Sequence, residues 1–214
     1  MLAMKFPTIA LGLMAAGLAT TANAQDAAPA EDLATMMARV NLMSDTPGDG
    51  PYPSIIEQVA ALPNHVVYRP ADLSTIGHNG LGVLVWGNGG CAADGTSTRF
   101  HLSQIASYGY LVIAPGLWRS GPNATAGPEA PRARAADGSF PPSPTNAGQL
   151  TEALDWAMAE NARAGSPYHG LIDENALAAA GFSCGGVQAL TVAGDPRLDT
   201  VVVQNSGLLP PDGP

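Results

Sequence analysis

Lysine is all but missing from this chain: Lys5 is the only one, and nine basic residues face eighteen acids for a formal net charge of −9. So few cations cannot neutralise a phosphate backbone, which excludes nucleic-acid binding as a function class. Also missing is an apolar stretch long enough to cross a membrane, since Phe6 to Ala19 falls short of the roughly 20 residues a span requires. With Lys5 ahead of it and the small residues Ala22-Asn23-Ala24 behind, that stretch reads as a signal peptide over residues 1–24, cleaved before Gln25. An uncleaved anchor is the alternative. No cysteine follows the apolar stretch to carry a lipid. The protein is therefore expected in a periplasm or outside the cell, with no membrane span after cleavage.

What remains is globular in composition. Hydrophobic residues make up 46% and charged residues 13% of 214, enough for one α/β domain with a real core. Residues 25–53 read as an Ala/Pro-rich tail and peripheral wrap. A helix is expected over Glu31 to Met43, with Leu33, Met36, Met37 and Val40 on one side, broken by the Pro/Gly run from Thr46 to Pro53. The main domain spans 54–214. Strands are predicted at His65–Arg69, Leu81–Trp86, Leu111–Ala114, Leu177–Phe182 and Thr200–Gln204. Helices are predicted at Thr98–Ser107, Asn146–Ala164 and Val187–Val192. Their alternation through the second half predicts a mostly parallel, doubly wound sheet. Residues 116–145 form a loop dense in Pro, Gly, Ala and Ser that leaves the carboxyl end of a strand. Trp118 and Phe140 would face a ligand there, unless the loop is a plain solvated insertion.

Two glycine-rich turns carry chemistry. Gly181-Phe182-Ser183-Cys184-Gly185 follows an apolar run and precedes a helix-compatible one. A Gly-x-Ser-x-Gly corner of this kind holds a serine in a strained backbone conformation and lifts its hydroxyl above a sheet as a nucleophile. An idle serine on a glycine-rich corner is the duller alternative. Gly87-Asn88-Gly89-Gly90-Cys91 ends an earlier strand. Such a loop supplies one of the two backbone N–H groups that stabilise a tetrahedral oxyanion. Cys184 would give the N–H after the nucleophile and Gly90 the other, with Asn88 and Cys91 beside the substrate. The loop lacks both the spacing of a dinucleotide fingerprint and the lysine of a P-loop, so no cofactor or metal is expected. Cys91 and Cys184 each adjoin one of these turns, and an oxidising compartment permits a disulfide between them, two buried free thiols being the alternative.

The stretches Leu81–Cys91, Gly181–Gly186, Asp195-Pro196-Arg197 and Asn205-Ser206-Gly207 resemble secreted α/β-hydrolase-fold esterases of the dienelactone-hydrolase-like and chlorophyllase/cutinase-like groups, over roughly residues 50–208. The resemblance implies the α/β-hydrolase fold, Ser183 as nucleophile, Gly87 to Cys91 as the oxyanion loop, and a small-molecule or polymeric ester as substrate. Two departures stand out. Asn88 occupies a place where such enzymes commonly carry histidine. The chain also ends before the seventh and eighth strands, after which the family's acid and histidine usually come, so the sheet is expected to be incomplete at its C-terminal edge.

A free serine hydroxyl is a weak nucleophile and needs a base within hydrogen-bond reach. His65 and His78 precede the oxyanion loop, His101 lies in the helix after it, and His169 precedes the serine strand. None is placed to serve. Asp212 is the candidate acid after the sixth strand. The expectation is the N-terminal portion of a longer secreted serine esterase, its histidine lying beyond residue 214. A non-catalytic exported binding module of the same fold is the alternative.

Overall fold

A computed structural model describes residues 32–139 and 141–208. Residues 1–24, read as a signal peptide, together with Phe140 and Asp212 lie outside the described residues. The strands are β1 (Ser54–Glu57), β2 (His65–Pro70), β3 (Leu81–Gly87), β4 (Tyr110–Pro115), β5 (Ile172–Phe182) and β6 (Thr200–Gln204). The helices are α1 (Leu33–Leu42), α2 (Arg99–Ala106), α3 (Ala147–Ala162) and α4 (Cys184–Thr191). All six strands join one sheet in the order β1-β2-β4-β3-β5-β6. The pairs β1/β2 and β2/β4 are antiparallel; β4/β3, β3/β5 and β5/β6 are parallel. The class is α/β with a mixed, mostly parallel sheet.

Burial explains the arrangement. Every residue of β3 is buried, as its unbroken apolar run requires of a strand covered on both faces. Val83 and Val85 join Ile113, Leu177 and the α3 residues Leu150, Leu154 and Ala157 in one core cluster. Leu84 and Trp86 point the other way, to Tyr68, Val112 and the α2 residues Leu102 and Ala106. Helices thus cover both faces. The start of α3 is fixed by a capping box in which the Gln149 side chain accepts from the Asn146 N–H and the Asn146 side chain accepts from the Gly148 N–H. Among the described residues no helix is long and apolar enough to cross a membrane.

Three elements depart from the sequence reading, β5 among them, since it begins at Ile172, ahead of the expected Leu177. The strand β1 has no counterpart in the sequence reading, because Ser54-Ile55-Ile56-Glu57 is too short to carry a periodic signal. It forms only by pairing with β2 at the sheet edge. The helix α1 does form, but Met36 and Met37 are 40% and 61% exposed, so no apolar stripe docks it. A buried cation does. The Arg99 side chain, 2% exposed, donates to Asp45 Oδ1 at 2.8 Å and to the carbonyls of Val40 and Met43 at 2.8 and 3.0 Å. It thereby adds a charged donor to carbonyls at the end of α1, where Val40 otherwise accepts only from the Met43 N–H at 3.2 Å. Arg99→Ala removes these bonds and strands a half-buried carboxylate, so chemical denaturation should show a loss of about 3 kcal/mol or more. Trypsin cleavage after Arg39 should accelerate in the same variant.

Candidate active site

Ser183 stands at the corner between β5 and α4 with φ 53° and ψ −123°. A non-glycine residue there costs about 1–3 kcal/mol and persists only where its neighbours impose it. They do. The Ser183 N–H donates to the Gln204 carbonyl at 3.0 Å, and the Ser183 carbonyl accepts from the Gly186 N–H at 2.9 Å and the Ser206 hydroxyl at 2.6 Å. A Cβ on Gly181 would come under 3.0 Å from the Gly185 carbonyl, and one on Gly185 under 3.0 Å from that of Gly87. Glycine is required at these places because β3, β5 and α4 touch backbone to backbone. Ser183 itself is exposed, and its hydroxyl has no hydrogen-bond partner among the described residues.

The second turn lies beside the first. Cys91 and Cys184 form a disulfide with their Cα atoms 5.3 Å apart, joining the glycine-rich loop to the residue after the serine. In that loop Gly90 has φ 64° and ψ 8°. The Gly89 carbonyl accepts from the Ala92 N–H at 3.3 Å. In a trans peptide the N–H lies opposite the carbonyl, so the Gly90 N–H is turned away from the loop interior. It has no acceptor among the described residues, and the space beside its Cα is open. The Cys91 N–H, by contrast, donates to the Asn88 carbonyl at 3.1 Å. As first residue of α4, Cys184 carries an N–H with no intrahelical acceptor. Gly90 and Cys184 are therefore two amides of the joined turns with no acceptor among the described residues.

The side chains expected at a ligand lie elsewhere. Asn88 is fully buried, and its Nδ2 donates to the carbonyls of Ala92 and Pro115 at 2.9 and 2.7 Å, bracing the loop from beneath. Cys91 is 3% exposed. Trp118 packs against the α2-side core and lines a cleft with Asp45, Pro47, Ile56 and Asn123. The 116–145 segment contributes other residues, which no sequence pattern singled out. Arg132 donates to the Gly90 carbonyl, Glu129 accepts from the Ala93 N–H, Arg119 donates to the Ala93 carbonyl, and Thr145 donates to that of Cys91. The long loop is thus laced to the glycine-rich turn after β3. A separate apolar cleft of about 520 Å³ runs along β5 and β6, lined by Trp86, His101, Ile105 and Val202 and reaching Gln204.

No histidine bonds Ser183. His65 is buried, its Nε2 meets the Gln149 carbonyl at 2.9 Å, and desolvation lowers its pKa. His101 stands edge-on to Trp86, its pKa also lowered by burial. His169 Nδ1 meets the Asn161 carbonyl, and His78 lies beside Gly170. Asp195 is held by Arg197, which brings its carboxyl down to about 2. No group of residues among those described is arranged to hold a metal ion.

No protein-family model and no curated protein matches the chain significantly. Its chemistry must be read from the geometry of the two turns.

Removing the disulfide by Cys91→Ser with Cys184→Ser frees a 93-residue separation. Denaturation should show a loss of about 4 kcal/mol, the chain-entropy cost of reopening such a loop. Gly185→Ala should be worse placed than an ordinary helix substitution: instead of the gain of about 1 kcal/mol usual for Gly→Ala inside a helix, thermal melting should report a clear loss.

Proposed function

We propose that the protein is an exported serine hydrolase of the α/β-hydrolase type that cleaves a carboxylic ester through an acyl-enzyme on Ser183. The observation that carries this reading is the pairing of an exposed serine at positive φ with two unoccupied amides on disulfide-joined turns. Strand order supports it, since β5 lies in the middle of the parallel part of the sheet and its carboxyl end presents the serine. The disulfide supports export to an oxidising compartment.

In this mechanism the Ser183 hydroxyl attacks the ester carbonyl while a base takes its proton. The carbonyl oxygen becomes an oxyanion and accepts from the N–H groups of Gly90 and Cys184. Collapse of the tetrahedral intermediate expels the alcohol, which takes up the proton from the base. Water then hydrolyses the acyl-enzyme by the same steps in reverse order of roles. None of the four histidines of the sequence bonds Ser183, three of them being engaged elsewhere, so this mechanism assigns roles to Ser183 and the two amides and leaves the base unassigned. Small-molecule and polymeric esters both suit an exposed serine. The unpartnered Ser183 hydroxyl also favours a second reading, a non-catalytic module that keeps the fold for binding.

A fluorophosphonate probe separates the two. Applied to the protein expressed from its whole reading frame, it should label Ser183, and Ser183→Ala should abolish labelling and cut ester hydrolysis by roughly a thousandfold or more. Labelling that persists in Ser183→Ala would overturn the esterase reading, and absence of labelling in the unaltered protein would favour the binding module.

A further inference from the structure

Most arginines whose side-chain contacts are described pair with a carboxylate: Arg69 with Glu57, Arg99 with Asp45, Arg163 with Glu160, and Arg197 with Asp155 and Asp195. Arg132 differs. Its Nη1 donates to the Gly90 carbonyl at 2.9 Å and its Nη2 to the Pro141 carbonyl at 2.7 Å. Its Nε–H is buried without an acceptor. Carbonyl oxygens carry no net charge, so the guanidinium keeps its full positive charge in a chain of net charge −9. That charge is hydrogen-bonded to the carbonyl of Gly90, whose own N–H has no acceptor among the described residues.

We propose that Arg132 is a positioning residue of the ester-cleaving site, which holds the Gly90 turn and places a permanent positive charge beside the developing oxyanion. The inference rests on the esterase reading and adds to it a component from the 116–145 loop. The physics is differential. An ester carbonyl is neutral in the ground state, and its oxygen becomes an anion only in the tetrahedral intermediate. A fixed cation bonded to the carbonyl of the residue that supplies an oxyanion amide therefore lowers the barrier and leaves substrate binding nearly unchanged. Partial burial keeps the charge from being fully screened by water. The hydrogen bond has a second effect, because a turn containing Gly89-Gly90 is intrinsically loose and an anchor on the Gly90 carbonyl limits its rotation.

The test uses the protein expressed from its whole reading frame, a soluble p-nitrophenyl ester, and the variants R132K, R132Q and R132A. R132Q and R132A should lower kcat by about 10-fold with KM within about threefold, because the lost charge acts on the anionic intermediate and not on the neutral ester. R132K, which keeps the charge, should recover most of the loss. Inhibition by phenylboronic acid, which binds serine as an anionic tetrahedral adduct, should weaken in R132Q by the same factor as kcat. A thermal melt within a few degrees of the parent protein separates these effects from misfolding. The proposal is overturned if R132Q retains kcat within twofold, if the loss appears in KM alone, or if R132K is as impaired as R132Q. If the unaltered protein hydrolyses the ester no faster than Ser183→Ala, the esterase reading itself has failed, and the Arg132 inference falls with it for that separate reason.

Discussion

The structure depends on three glycines that let backbone meet backbone. Gly87 at the end of β3, Gly181 near the end of β5 and Gly185 in the first turn of α4 approach so closely that a methyl group on either of the latter two would strike a carbonyl of the set. This contact seats the first turn of α4 against the carboxyl ends of two adjacent parallel strands. Once the helix is seated there, Ser183 has to turn a sharp corner at positive φ. The strain is local; what sustains it is the whole β3–β5–α4 junction, including the bond from Ser183 N–H to Gln204 on β6.

The glycine-rich turn after β3 is held in a different way. Its amides are oriented by short-range hydrogen bonds, Cys91 to Asn88 and Ala92 to Gly89, which fix two peptides and leave the Gly90 N–H outward. Its position relative to the serine corner is fixed by the disulfide. Beneath it Asn88, wholly buried, joins the turn to the end of β4. Above it the 116–145 segment is tied on by Glu129, Arg119 and Arg132. A stretch without helix or strand of its own is thus ordered by charged side chains acting on main-chain groups. Such bonds are stronger than neutral ones.

The N-terminal segment follows the same logic. Helix α1 has few inward apolar side chains, and the buried Arg99 guanidinium holds its carboxyl end through carbonyls. In a chain with so few cations, arginines serve as internal ties to peptide oxygens as much as partners for surface acids.

Much of this architecture was legible in the sequence. The apolar run of β3, the capping box of α3, the Gly-x-Ser-x-Gly corner and the place of both cysteines are local patterns, and each maps onto one element. They are legible because backbone dihedral demands and hydrophobic periodicity act over a few neighbouring residues. The antiparallel edge strand β1, the inward turn of Asn88, the displacement of Trp118 to another cleft and the lacing of Arg132 to Gly90 were decided only in three dimensions. Residues 42 positions apart meet in that last bond, and no local pattern encodes the meeting. The chain by itself determined which residues can make a strained corner and a glycine-rich turn. Tertiary packing decided which amides stay free and which charges stand beside them, because hydrogen bonds are satisfied by whatever the fold brings within reach.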